Sequence, residues 1–154
     1  MAKRDRQWPA SVRVLNKTRG TVVAEHVQVA RSLWARTRGL MLRPPLPPGT
    51  GLLIDPCSSI HSMWMRFPID VLYLDRDDVV VRIAEAMPPW RIGPLFTGAR
   101  YVIELPPGTT RASQTSVGDQ LGYAPARPLG ASLPDEVEFP GRLASASMSA
   151  SDMK

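Results

Sequence analysis

An all-β domain, built as a sandwich or a barrel, is what this sequence predicts, and three observations carry the prediction. Short apolar runs recur along the chain and are separated by turn residues. The 154 residues include 16 Pro and 11 Gly, and Pro at roughly twice its usual ~5% share interrupts the chain too often for a helical bundle. The hydrophobic content of 44% sits close to the ~45–50% of ordinary globular chains, which argues against wholesale disorder.

The elements follow in order. Val12-Arg13-Val14-Leu15 reads as a strand, and Asn16-Lys17-Thr18-Arg19-Gly20 has turn composition. Residues 21–30 then alternate, with Val23, Glu25, Val27 and Val29 on one face and Val22, Ala24, His26 and Gln28 on the other, so the two runs form a hairpin. Ser32 is placed to N-cap one short helix near residues 32–38, stopped at Gly39. The prolines of 43–49 allow only an extended loop. Strands are expected over 51–54, 60–67, 69–74 and 79–84, the third apolar enough to be covered on both faces. Asp75-Arg76-Asp77-Asp78 supplies a tight hairpin turn, and Met87-Pro88-Pro89-Trp90 opens an irregular stretch. A strand over 101–105 ends at Pro106-Pro107-Gly108, and Gly118-Asp119 turns the chain into a last strand over 120–123. Residues 1–10 read as a basic lead-in, 11–123 as a single β-rich domain, and 124–154 as a disordered C-terminal tail rich in Ala, Ser and Pro.

A succession of motifs is distinctive: Arg38-Gly39-Leu40-Met41, Pro47-Pro48-Gly49-Thr50-Gly51-Leu52-Leu53, the run from Cys57 to Asp75, Pro89-Trp90-Arg91, residues 101–108, and Val117-Gly118-Asp119. Their order resembles the uncharacterised prokaryotic family known as domain of unknown function 192, over about residues 12–123. The resemblance implies a compact β-rich single domain and brings no reaction with it. Export, which some members of that family suggest, is not carried over, since no secretory leader is expected here.

The segment from Cys57 to Asp70 holds the densest set of reactive side chains, with Cys57, His61, Met63, Met65 and Asp70 inside fourteen residues. Cys, His and Met are the donors that suit a soft metal such as copper, so Cys57, His61, Met63 and Met65 are candidate ligands. An extended 60–67 segment opposes this, because Met65 would then stand about 26 Å from Cys57 at roughly 3.3 Å per residue. Cys57 as thiolate, His61 as base and Asp70 as orienting carboxylate make a candidate catalytic set. No glycine-rich nucleophile turn flanks Cys57, and Pro56 withholds a backbone donor beside it. Trp64, Arg66, Trp90, Arg91, Arg100 and Glu104 supply aromatic walls and charged contacts for a small ligand or a protein partner. Against all of these, His61, Met63, Met65 and Phe67 share strand parity and fit a β core, and Asp70 fits a buried carboxylate paired with Arg66 or a backbone N–H. His26, beside Gln28, reads as a surface residue. The Asp75–Asp78 turn fails the spacing of a calcium loop, and Gly49-Thr50-Gly51 lacks the Lys and Ser/Thr of a phosphate loop.

Charge is uneven. Residues 1–50 carry ten Lys and Arg against two Asp and Glu, and the remainder carries nine against twelve. A basic half with Trp34 among its arginines suggests an anionic partner, with single-stranded nucleic acid as one reading. No apolar run is long enough for a transmembrane helix, and the single cysteine excludes an intramolecular disulfide, so a cytoplasmic, membrane-free protein is expected. The leading expectation is a non-enzymatic binding domain whose surface centres on Cys57 to Asp70 and Trp90-Arg91. Soft-metal binding, nucleic-acid binding and thiol catalysis stand as its alternatives.

Overall fold

A computed structural model of the chain describes residues 6–32, 43–63, 65–93 and 98–128. All but the first residue of the helix expected near 32–38, Trp64 and most of the expected tail (129–154) lie outside the described residues. Seven strands make one curled sheet: β1 (Ser11–Asn16), β2 (Thr21–Val29), β3 (Thr50–Ile54), β4 (Ile69–Leu74), β5 (Val80–Met87), β6 (Tyr101–Leu105) and β7 (Leu121–Pro125). A four-residue helix, α1 (Thr109–Ala112), follows β6.

The strand order is β5-β4-β6-β3-β2-β1-β7. All neighbours are antiparallel except β2 and β3, which run parallel. The hairpin expected from residues 12–30 is β1–β2, and Gly20 at φ 70 supplies the left-handed position its turn needs. The Asp75 carboxylate organises the β4–β5 turn by accepting the backbone N–H groups of Asp77 and Val79 at 2.8 and 3.0 Å. β5 runs three residues beyond the expected 79–84, and β7 two beyond Tyr123. The curl brings the two outer strands together at one end, where Val80 N–H donates to Asp119 and Leu121 N–H to Asp78, both at 2.9 Å.

Alternation along the strands divides the apolar residues between two faces. The concave core draws on every strand, from Val14, Val27 and Leu53 to Leu72, Val80, Ile103 and Leu121. The convex face of β3, β4 and β6 carries Leu52, Ile54, Val71, Tyr73 and Val102, and is covered by Ile60, Met65 and Phe67. β4 is buried at all six positions, in agreement with its nearly continuous apolar run.

The strand expected over 60–67 does not form. His61 makes one isolated bridge to Ile92, and a turn closed by Met65 N–H on the Ser62 carbonyl follows. The reason is Ser62, which is fully buried. Its hydroxyl donates to the Pro88 carbonyl at 2.6 Å and accepts from Arg91 N–H at 2.8 Å, while its carbonyl accepts Trp90 N–H at 2.8 Å. Side-chain capture of a neighbouring loop thus replaces a strand ladder. Met65 and Phe67 do enter the core, whereas His61 is exposed and Met63 half-buried.

Candidate functional site

The convex face carries a row of polar groups among its apolar ones. Glu104 lies opposite Leu52 on β3 and Val71 on β4, and Leu52 lies opposite Gln28 on β2. Tyr73 lies opposite Val102, two residues along each strand, so Tyr73 and Glu104 are diagonal neighbours on one face. Such neighbours have Cα atoms about 7–8 Å apart.

Glu104 is 3% exposed, and its Oε2 has no hydrogen-bond partner. Burial pushes its carboxyl up to about 8, against the pull of the Arg43 guanidinium. The Tyr73 hydroxyl is likewise buried without a partner, and burial raises its pKa, opposed by the Arg82 guanidinium and helped by smaller contributions from Cys57 and Glu104. Arg43 reaches into the same row and donates to Gln28 Oε1 at 3.5 Å. A cavity of about 280 Å³ opens at this end, lined by His26, Gln28, Ala30, Arg43 and Leu52 among others.

Two segments cover the other end. Residues 59–62 pair with 90–93 through Gly93 N–H to Ile60 (2.8 Å), Ser62 N–H to Arg91 (2.7 Å) and Ser59 Oγ to Gly93 (3.2 Å). Gly93 is required by close approach. A Cβ there would stand 3.0 Å from the Tyr73 hydroxyl and 2.9 Å from the Ile60 carbonyl. Cys57 packs at the margin of this face and donates its thiol to the Ser59 carbonyl at 2.9 Å. Burial pushes that thiol up, a backbone hydrogen bond at Ser59 opposes it, and Glu104 adds to the rise, which leaves a weakly ionised sulfur.

The residues singled out in the sequence therefore separate. Asp70 lies on the concave side, in parity with Leu72 and Leu74, and so does not join Cys57. Its carboxylate accepts Ala86 N–H (2.8 Å), Thr110 N–H (3.0 Å) and the Thr110 hydroxyl (2.8 Å), which is the backbone pairing the sequence allowed rather than a bond to the exposed Arg66. Arg100 donates to Asp55 at 3.0 Å. Trp90 is half exposed and lies at φ 62, and Arg91 is exposed beside it on the cover. Among the described residues no three of His, Cys, Asp and Glu gather as a metal cluster. His26 is half-buried, with Nδ1 3.0 Å from the Arg127 carbonyl. No helix of the described residues is long and apolar enough to cross a membrane.

Of the convex row, sequence reasoning named Glu104 and missed Tyr73 and Arg43 as site residues. The signal for Tyr73 was present, since a phenol inside an apolar strand covered on both faces needs a partner for its hydroxyl.

Comparison with known proteins agrees with this architecture. Residues 14–123 match the DUF192 family, described as "Uncharacterized ACR, COG1430". A UPF0127 protein of Thermococcus sibiricus is 36% identical over 71% of this chain and 73% of its own length. A UPF0127 protein of Thermococcus gammatolerans is 34% identical over 84% and 87%. Among solved structures, a Sinorhizobium meliloti 1021 protein provisionally assigned as a transcription regulator superposes with a TM-score of 0.64 at 25% identity, over 77% of this chain and 97% of that one. A protein of unknown function from Novosphingobium aromaticivorans gives 0.62 at 23% identity, over 73% and 83%, and shares the fold. The seven-stranded sheet and the match along most of its length make this chain a member of the DUF192 (UPF0127) family.

Proposed function

We propose that this domain binds a small polar molecule against the convex face of its sheet, between Arg43, Glu104 and Tyr73 and beneath the 57–63 and 90–93 segments. One observation carries the reading: Glu104 Oε2 and the Tyr73 hydroxyl are buried on one face with no hydrogen-bond partner. Each unsatisfied buried group costs about 1–3 kcal/mol, and folded proteins retain few of them. A ligand N–H or O–H directed at Glu104 removes that penalty, and the guanidinium of Arg43 suits an acceptor on the same molecule. Burial beside apolar Leu52, Val71 and Val102 makes each such contact strong and selective. The raised Cys57 thiol favours a binding role over thiol catalysis.

The test is a ligand-observed NMR screen of small primary amines, amides and alcohols at pH 7, run on the native chain and on Glu104→Leu. Leu removes the buried polar group, so the variant is expected to unfold at higher denaturant while losing at least about tenfold in affinity for the hits. Hits that bind the variant equally well, or a screen with none, overturn the reading.

A further inference from the structure

The segment leading into β1 crosses the seam where the outer strands of the sheet meet. There Arg6 lays its guanidinium 4.7 Å from the centre of the Trp8 ring and 5.9 Å from that of Tyr123. It donates to both oxygens of Asp78, at 2.6 and 2.9 Å. A flat cation against aromatic rings, held by a two-pronged carboxylate, is the full recognition set for a guanidinium.

The walls of this cage are fixed by bonds that do not involve Arg6. Trp8 donates its indole N–H to Asp55 at 2.7 Å and packs edge-on against Tyr101 and Tyr123, with ring centres 5.6 and 4.8 Å away. Tyr101 is 1% exposed on β6 and donates its hydroxyl to Asp78 at 2.7 Å; the Tyr123 hydroxyl on β7 bonds to that of Tyr101. Arg6 differs from the walls in its exposure, since its side chain is 40% exposed; it shares the lead-in before the first strand with Trp8. Beside it a cavity of about 510 Å³ runs along Trp8, Pro9, Val12, Gly122 and Tyr123, bordered by residues of β1 and β7. That space suits the backbone of an extended segment carrying an arginine.

We propose that this cage is a binding site for an arginine side chain of a partner protein, and that Arg6 is its resident competitor in cis. The resident is tethered two residues from Trp8 and so holds the cage at a high effective concentration. A partner arginine enters when its flanking residues add contacts in the adjoining cavity or when the Arg6 side chain swings out, with Trp8 held in place by Asp55. The site is separate from the convex face and does not depend on the reading given for it.

Arg6→Ala and Arg6→Gln empty the cage, the second keeping a polar stem over Trp8. Titration with N-acetyl-arginine-amide, followed by the Trp8 indole N–H signal, is expected to give millimolar binding to both variants and at least tenfold weaker binding to the native chain. Adding Asp78→Asn to Arg6→Ala is expected to abolish it, and the matching lysine amide to bind several-fold more weakly. Equal affinity of native and emptied chains, no shift at Trp8 in either variant, or indifference to Asp78→Asn overturns the proposal. Loss of folding in both Arg6 variants overturns it as well, because an exchangeable occupant is dispensable to the fold.

Discussion

Glu104 shows how one side chain can oppose the fold that surrounds it. Its folded pKa of about 8 lies above the 4.5 of an ordinary Glu, so between those values the native state holds a proton that the unfolded chain has released. The contribution to stability is complete below about pH 4.5 and is lost as pH rises toward and through 8. Glu104→Gln removes this dependence. Urea unfolding between pH 5 and 9 is expected to show the variant gaining on the native chain by a few kcal/mol at the alkaline end, since each pH unit between the two values is worth about 1.4 kcal/mol. Parallel stability curves for the two chains would contradict it. The sequence offered Glu104 as a charged ligand contact but not its burial, because burial depends on which strands flank it, and those come from distant parts of the chain. Cys57, His61 and Asp70 were conspicuous for the opposite reason: they are close in sequence, and the sheet then divides them between its faces and the surface.

At the level of elements, α1 is bound to the sheet chiefly through a single carboxylate. Asp70 at the start of β4 accepts two bonds from Thr110 and one from Ala86 on β5, so it ties three elements across the open end of the curl. Asp70→Ala leaves the buried N–H and hydroxyl of Thr110 and the part-buried N–H of Ala86 without this acceptor, and a loss on the order of 3 kcal/mol is expected from denaturant titration. A loss below about 1 kcal/mol would mean that water or relaxation replaces the carboxylate. The helix itself escaped sequence reading, since four residues after Gly108 show no periodicity. The 60–67 segment misled for a related reason. Alternate placement of His61, Met63, Met65 and Phe67 imitates a strand, while the deciding residue, Ser62, acts through partners 26 and 29 residues away. Strands whose neighbours are close in the chain were legible locally, β1–β2 from its turn and alternation and β4–β5 from its turn and the continuous apolar run of β4.

Across the whole molecule, charge is neutralised within the fold more than the composition suggests. Arg6, Arg13 and Arg19, all in the basic half, pair with Asp78, Glu25 and Asp119 at 2.6, 2.8 and 3.1 Å. Guanidinium groups spent on internal carboxylates are poorer phosphate ligands, so these three add less to an anion-binding surface than the net charge suggests. Stability is distributed from the middle of the strand order outward. β6 and β3 are flanked on both sides and fully buried or nearly so, whereas β5 and β7 border the sheet. Amide exchange is therefore expected to be slowest at Leu53, Leu72 and Ile103, at the limit set by global unfolding, and faster along β5 and β7. Uniform protection across all seven strands would show the border strands to be as firmly held as the centre.

The pairing of β1 with β7 sets Val12 opposite Pro125. Antiparallel partners stand about 5 Å apart, so the chain enters and leaves the sheet through the same doorway. A body with that geometry can be threaded into a surface loop of a host protein while hardly stretching the loop's two ends. It can also be re-cut, with 11 and 125 joined by a short linker and new ends opened elsewhere. The architecture is that of an insertable cassette, whatever chain happens to carry it.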